Sequence, residues 1–240
     1  MSTTFEHTGE KRLLEVESGG AAVEAVGGLA VAVLSILGLA GLASESLAAI
    51  TGIIFGIAMF AEGVAIATEY SGLYARVSGG LMGAVELGGG MTVEIMAGGA
   101  AIVLGVLAVV GIAPLYLLPA LVITGGASLL LTAGALQRLN SLKVSAAETP
   151  ELAQRIMRVV TSSAAGGQML AGVAAIVLGI VALASLPAAA SAAAAGGGAI
   201  ATWLILTLVG LLVLGSSIMT SGGSLVGRLI QMFNREAPRL

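Results

Sequence analysis

Glu62 has the most chemistry to offer. It lies in Phe60-Ala61-Glu62-Gly63-Val64, inside an apolar stretch running from about Leu47 to Thr68. Counted from Leu47, it stands about 22 Å along a helix axis. That depth is the inner half of the hydrocarbon, or its inner edge. A carboxylate there takes a proton, pairs with a base or reaches water, and ionisable groups within membranes lean towards function. The chemistry it would support is proton binding or gating. The structural alternative is a carboxylate at the inner interface, or one paired with Arg76 or Arg138. Its counterparts in the other hairpins described below are Ala133 and Ser221. Glu24 and Glu94 occupy equivalent positions at the starts of two helices, with Gln168 third. A carboxylate at a helix start meets the positive end of the helix dipole, worth about 0.3–1 kcal/mol, which is a sufficient structural reason for both. Taken together, Glu24, Glu62, Glu86 and Glu94 would make an acidic mouth for protons or cations.

Other chemistries are poorly supplied. The chain has no Cys and one His, His7, placed beside Glu6 and Glu10 in a polar tail. Thiol catalysis and Cys-ligated metals are excluded, and a single imidazole is a weak start for any metal site. All 13 acidic residues are Glu, and without Asp a calcium or magnesium loop has little to draw on. No Gly-Lys-Ser/Thr follows the glycine strings, so they are not phosphate loops. No Ser has a membrane-facing His partner, so no nucleophile–base pair forms. We therefore expect no catalytic residue, no cofactor, no resident metal and no enzyme activity. The basic residues are not interleaved with aromatics, which argues against nucleic acid. Aromatics make up 3% of the chain, which argues weakly against a large ring-shaped ligand.

The elements that must carry these residues are membrane helices. The 240 residues are 58% hydrophobic and 10% charged, against about a quarter charged in a soluble domain. Mean hydropathy is +1.07. Uncharged stretches run from Ala25 to Ser44, Ile95 to Gln137 and Val159 to Gly227. A span needs about 20 apolar residues, so the last two hold two spans each. With the helix at Leu47–Thr68 the count is six, an all-α integral membrane fold. Every Lys and Arg falls in the N-terminal tail (Lys11, Arg12), in two connections (Arg76; Arg138, Lys143, Arg155, Arg158) or in the C-terminal tail (Arg228, Arg235, Arg239). The positive-inside rule then places both termini in the cytoplasm. The first 19 residues are polar and acidic and do not read as a signal peptide, so the first helix is expected to act as the insertion signal.

Internal repetition organises the six spans. Ala100-Ala101-Ile102-Val103-Leu104-Gly105 recurs unchanged as Ala174 to Gly179, and Val23-Glu24, Gly28 and Val33-Leu34 match Val93-Glu94, Gly98 and Val103-Leu104. We read three helical hairpins over 20–69, 92–138 and 165–227. They are separated by a tail at 1–19, connections at 70–91 and 139–164, and a tail at 228–240. Small residues recur seven apart: Gly28/Ser35, Gly56/Gly63, Gly98/Gly105, Ala127/Gly134, Gly172/Gly179 and Gly215/Gly222. Seven residues are close to two turns, so each pair lies on one face. In lipid, helices associate where small residues let backbones approach, so these pairs should be the internal seams. Extra glycines, Gly52 and Gly125-Gly126, would be left for subunit contacts, predicting a homo-oligomer.

Pro114 and Pro119 should break the second hairpin and Pro187 the third, ahead of the Ala/Gly-rich run 188–198. Tyr116 and Trp203 should mark the outer interface, and Tyr70 and Tyr74 the inner one. Thr149-Pro150-Glu151 is a good helix start. It predicts a short amphipathic helix on the inner leaflet, and Leu225 to Phe233 looks similar. The Gly-rich segment 78–90 has no clear assignment.

The string Ala171 to Leu183, a proline soon after and a glycine-dotted second helix resemble the repeat of HdeD-like membrane proteins. The resemblance covers about 20–228. Hairpin 1 departs from it, with Ser44-Glu45-Ser46 and no proline at its turn. The resemblance implies a multi-pass protein of the bacterial inner membrane, non-enzymatic, with a structural or stress-related, acid-resistance-like role; it carries over no catalytic residue. Three readings follow. The first is a structural membrane assembly, in contact with the lipid bilayer and open to a membrane-protein partner. The second is a proton or cation conduit through Glu62. The third is a module binding a lipid, a quinone or a membrane partner.

Overall fold

The computed structural model describes residues 22–74, 81–146, 151–188 and 201–236, with side chains described over 22–64, 92–133, 166–188 and 201–222. The described residues are helical, with no strand among them. The long helices are α1 (Ala22–Leu39), α2 (Ser44–Tyr74), α3 (Leu81–Val109), α4 (Pro114–Ala146), α5 (Glu151–Ala184) and α6 (Thr202–Glu236). Six stretches, one in each, are long and apolar enough to cross a membrane: Ala22–Leu39, Ser44–Val64, Thr92–Val109, Pro114–Ala133, Gly166–Ala184 and Thr202–Gly222. The protein is a multi-pass membrane protein, with six apolar helices among the described residues.

Five of the helices are longer than their spans. They contain 29 to 35 residues, or about 44–52 Å, against about 30 Å of hydrocarbon. The extensions leave the end opposite the 40–43 and 110–113 turns. Two sequence expectations change here. The segment from Glu151 is not a separate interfacial helix but the first part of α5, and Leu225 to Phe233 is the last part of α6. Neither junction contains proline, and each added residue of a formed helix gains a hydrogen bond, so the helix propagates. The Gly-rich 81–90 stretch is likewise helix, the start of α3.

The turns at 40–43 and 110–113 are built alike. Gly41 and Gly111 take φ of 90° and 86°, the left-handed conformation that glycine adopts without strain. Leu42 N donates to Leu37 O and Gly41 N to Gly38 O; Ile112 N donates to Leu107 O and Gly111 N to Ala108 O. This paired pattern satisfies the last carbonyls of the preceding helix. Ser44 stands where Pro114 does, as first residue of the next helix, and its hydroxyl donates to Gly38 O at 2.8 Å. The missing proline therefore leaves the first turn unchanged. Pro119 does not break α4 but is carried inside it. The run beyond Ala188 lies outside the described residues.

Three helices form the inside and three the outside. Half of each span is buried in α2, α4 and α6, against 28%, 33% and 28% in α1, α3 and α5. The inner helices α2, α4 and α6 all touch one another. Each outer helix lies against two of them: α3 on α2 and α4, α5 on α4 and α6, and α1 on α2 through Gly27 and Ala58 and on α6 through Gly28 and Gly215. First and last helices are thus neighbours, and the bundle closes.

The core is apolar. Phe55, Leu118, Leu121, Leu208, Leu211 and Leu214 are fully buried in one cluster. Trp203 belongs to it, 3% exposed, so it plugs the turn end rather than facing the interface; Tyr116 is exposed. Tyr70 and Tyr74 lie in α2, their side chains outside the described set.

Candidate functional site

Three backbone contacts set the level of everything else. A Cβ built on Gly56 would lie 2.7 Å from Gly98 O, and one on Gly98 would lie 2.8 Å from Gly56 O. Between α4 and α5, the same construction puts Gly126 at 2.6 Å from Gly172 O and Gly172 at 2.7 Å from Gly126 O. Between α1 and α6, Gly28 would meet Gly215 O at 2.7 Å, and Gly215 would meet Ala32 N at 3.0 Å. Only glycine fits, because a real Cβ does not approach a backbone atom this closely. Each seam joins an outer helix to the inner helix of a different hairpin.

The other expected seam residues can now be located. Gly63 packs on Ile95 and Glu94, Gly105 on Ala49 and Ile53, and Gly179 on Ile123 and Pro119. Ser35 is buried, its hydroxyl donating to Val31 O at 2.7 Å. Gly222 is buried. The surroundings of Gly134 lie outside the described residues. On α4 the closest approach is made by Gly126, not Ala127, which is only half-buried. The sequence alignment of α4 was therefore one residue out. Gly52 and Gly125, read as subunit contacts, face inwards: Gly52 receives Leu121, and Gly125 receives Phe55 and Leu214. With Gly126 in the α4–α5 seam, the glycines that motivated an oligomer have partners within the chain.

The corrected register changes the site. Glu24, Glu94 and Gln168 stand one turn before Gly28, Gly98 and Gly172, and Glu62, Thr132 and Ser221 stand six residues after Gly56, Gly126 and Gly215. The paired helices are antiparallel, so all six residues fall at one end, within about 3 Å of one level by helical rise. Each helix contributes one. The level is the extension side of the spans, two residues from Ala22, Val64, Thr92, Gly166 and one from Ala133 and Gly222. Sequence reasoning missed Thr132 because the shifted register paired Glu62 with Ala133.

Glu24 and Glu94 are 1% exposed, Thr132 5% and Gln168 8%; Glu62 and Ser221 are half-buried. Ser221 Oγ and Glu24 Oε1 are hydrogen-bonded between α6 and α1. Glu94 lies near enough to Glu62 and Glu24 to act on both electrostatically, and Glu24 acts on Glu62 in turn. Thr132 stands beside the Glu94 carboxyl, yet Thr132 Oγ1 and Glu94 Oε2 are both buried without a hydrogen bond of ordinary geometry. No Lys, Arg or His occurs in the six spans. The expected pairings of Glu62 with Arg76 or Arg138, and the side chain of Glu86, lie outside the described residues. Among the described residues, no three acidic or imidazole side chains are grouped to hold a metal ion.

Below this level the inner helices turn large apolar side chains to the centre. Met59, Leu129 and Ile218, each three residues before Glu62, Thr132 and Ser221, are buried in the apolar cluster. Phe55 and Leu214 follow, closing over Gly125. Four hydroxyls deeper in the spans bond to their own helices: Thr124 to Ala120 O at 2.9 Å, Ser128 to Gly125 O at 2.8 Å, Thr207 to Trp203 O at 2.8 Å and Ser185 to Ala182 O at 2.8 Å, while Thr51 Oγ1 is fully buried without a partner. They line no continuous path. Elsewhere, an open apolar groove of about 410 Å³ runs between α1 and α2, bordered by Val26, Ile54 and Ile57.

No family model matches the chain, and neither does any curated protein or solved structure.

Proposed function

We propose that this protein is a non-enzymatic structural element of the membrane, a sealed bundle rather than a conduit. The observation that carries this reading is the apolar floor beneath the polar level, where Phe55 and Leu214 fill the space over Gly125. A transmembrane proton or ion path needs polar groups or water at every depth, and here Thr124, Ser128 and Thr207 are engaged with their own helix carbonyls, while Thr51 is a single hydroxyl shut in the core. The three hairpins are proposed as copies of one unit, which the recurring Gly–Gly seams support. Both termini are proposed to lie on the cytoplasmic side, a reading that the basic residues of the tails and connections support. A stress-related role and a bacterial inner-membrane location rest on the resemblance to HdeD-like proteins. A homo-oligomer is not part of the reading, since its motivating glycines pack within the chain.

The test is proton flux in proteoliposomes after an external acid pulse, for wild type and Glu62→Gln. The expected result is no flux above empty liposomes for either. Flux in the wild type that is lost in Glu62→Gln would replace the sealed bundle with a conduit.

A further inference from the structure

We propose that the level formed by Glu24, Glu62 and Glu94 is a proton-binding site, closed below and loaded from the side on which the helices extend. The proposal goes beyond the sealed bundle and rests on it only for the closed floor.

Charge balance is the first argument. Glu24 is bonded to Ser221 on α6 and stands within electrostatic reach of Glu94 on α3 and Glu62 on α2; Glu94 stands beside Thr132 on α4 and within the same reach of Glu62. None of these helices brings a basic residue within its span. Isolated charge in an apolar interior is costly, so three carboxylates require three counter-charges. With no metal-holding group among the described residues, the proton is the ligand that fits.

The second argument is independent of the charge. Glu94 Oε2 and Thr132 Oγ1 are deeply buried and neither makes a hydrogen bond of ordinary geometry, although the Thr132 side chain stands beside the Glu94 carboxyl. An unmade buried hydrogen bond is expensive, and the Thr132 hydroxyl, which can donate to a carboxylate, makes no such bond to Oε2. A proton on Oε2 turns Glu94 into a donor to Thr132 Oγ1 and satisfies both atoms at once.

The third concerns Ser221. Its hydroxyl carries one hydrogen, and Glu24 Oε1 and Ile218 O both lie in its reach, the latter at 2.9 Å. When Glu24 is charged, Ser221 donates to it. When a proton binds Glu24 Oε1, Glu24 becomes the donor to Ser221 Oγ, and the Ser221 hydrogen turns to Ile218 O. No hydrogen bond is lost in either state. Ser221 therefore lets the α1–α6 seam hold through the change of charge.

Infrared spectroscopy of the full chain in lipid nanodiscs tests this, reading the C=O stretch of protonated carboxyls while pH is varied. The wild type should show a band that disappears as pH rises. Glu24→Gln and Glu94→Gln should each reduce it. Thr132→Val should shift it to higher frequency without loss, because the acid loses its acceptor; a merely structural threonine would leave the frequency alone. The other glutamates titrate too, so the band is read as the difference between the wild type and each Glu→Gln variant; no difference at any pH where both are folded would overturn the proposal. Stabilisation of the wild type by sodium or magnesium chloride that vanishes in Glu94→Gln would also overturn it, making a cation the ligand. Acid-pulse flux reports on the floor and not on the site, so the two readings fail separately.

Discussion

Phe55 occupies the space that Gly125 leaves. A Cβ at 125 would lie 2.8 Å from Phe55 Cε1 and 2.9 Å from Leu214 Cδ1, so the ring and the leucine close the centre of α2, α4 and α6. Phe55→Ala should cost about 3–5 kcal/mol, the range for emptying a packed aromatic site. Gly125→Leu should cost about 1–3 kcal/mol by overpacking. Unfolding in mixed detergent micelles measures both, and equal stability of all three proteins would show that the centre is not packed as described.

Adjacent glycines on α3 should differ sharply. Gly98 is pressed against Phe60 N and Gly56 O, whereas nothing lies within 4 Å of a Cβ at Gly99. Gly98→Leu should break the α2–α3 seam and prevent recovery of folded protein. Gly99→Leu should be tolerated, since it points into open space and leucine favours helix over glycine by up to about 1 kcal/mol. Size-exclusion profiles of the two variants check this, and a tolerated Gly98→Leu would put the seam elsewhere.

How much of this was legible beforehand follows from what each residue depends on. Six spans were readable because hydrocarbon thickness fixes the length of an apolar run. Seam glycines on α1, α3 and α5 were readable because the repeated string around Gly98 and Gly172 fixed their register. On α4, Gly125, Gly126 and Ala127 are all small, and composition could not choose among them; only the reciprocal contact of Gly126 with Gly172 does. That one-residue ambiguity hid Thr132 and with it the six-residue polar level. The inward direction of Gly52 and Gly125 was equally hidden, since a small residue marks a close approach without saying which partner makes it. Helix continuation through 81–90 and 151–165 was obscured by glycines and polar residues that lower propensity without stopping a helix.

Thr51 offers a simpler prediction. It is fully buried in α2, and its Oγ1 has no hydrogen-bond partner. Thr51→Val keeps the shape and removes the unsatisfied hydroxyl, so it should stabilise by about 1–3 kcal/mol. A loss of stability in the same unfolding assay would mean that the hydroxyl is bonded in the membrane.

The account's central claim is that the bundle closes, with the first helix against the last; the sealed floor and the polar level both need it. A Cβ at Gly38 would lie 2.8 Å from Leu208 Cδ2 and 3.6 Å from Leu208 Cγ, so the Leu208 Cβ, one bond beyond Cγ, lies close to the separation of about 3.5–4.5 Å at which paired cysteine Cβ atoms form a disulfide. The chain has no cysteine of its own, so Gly38→Cys with Leu208→Cys can be oxidised in native membranes and read on a denaturing gel. The account predicts a reducible bond within one chain, at monomer mass, that neither single variant gives. Bonds formed only between chains, or none at all, would contradict it.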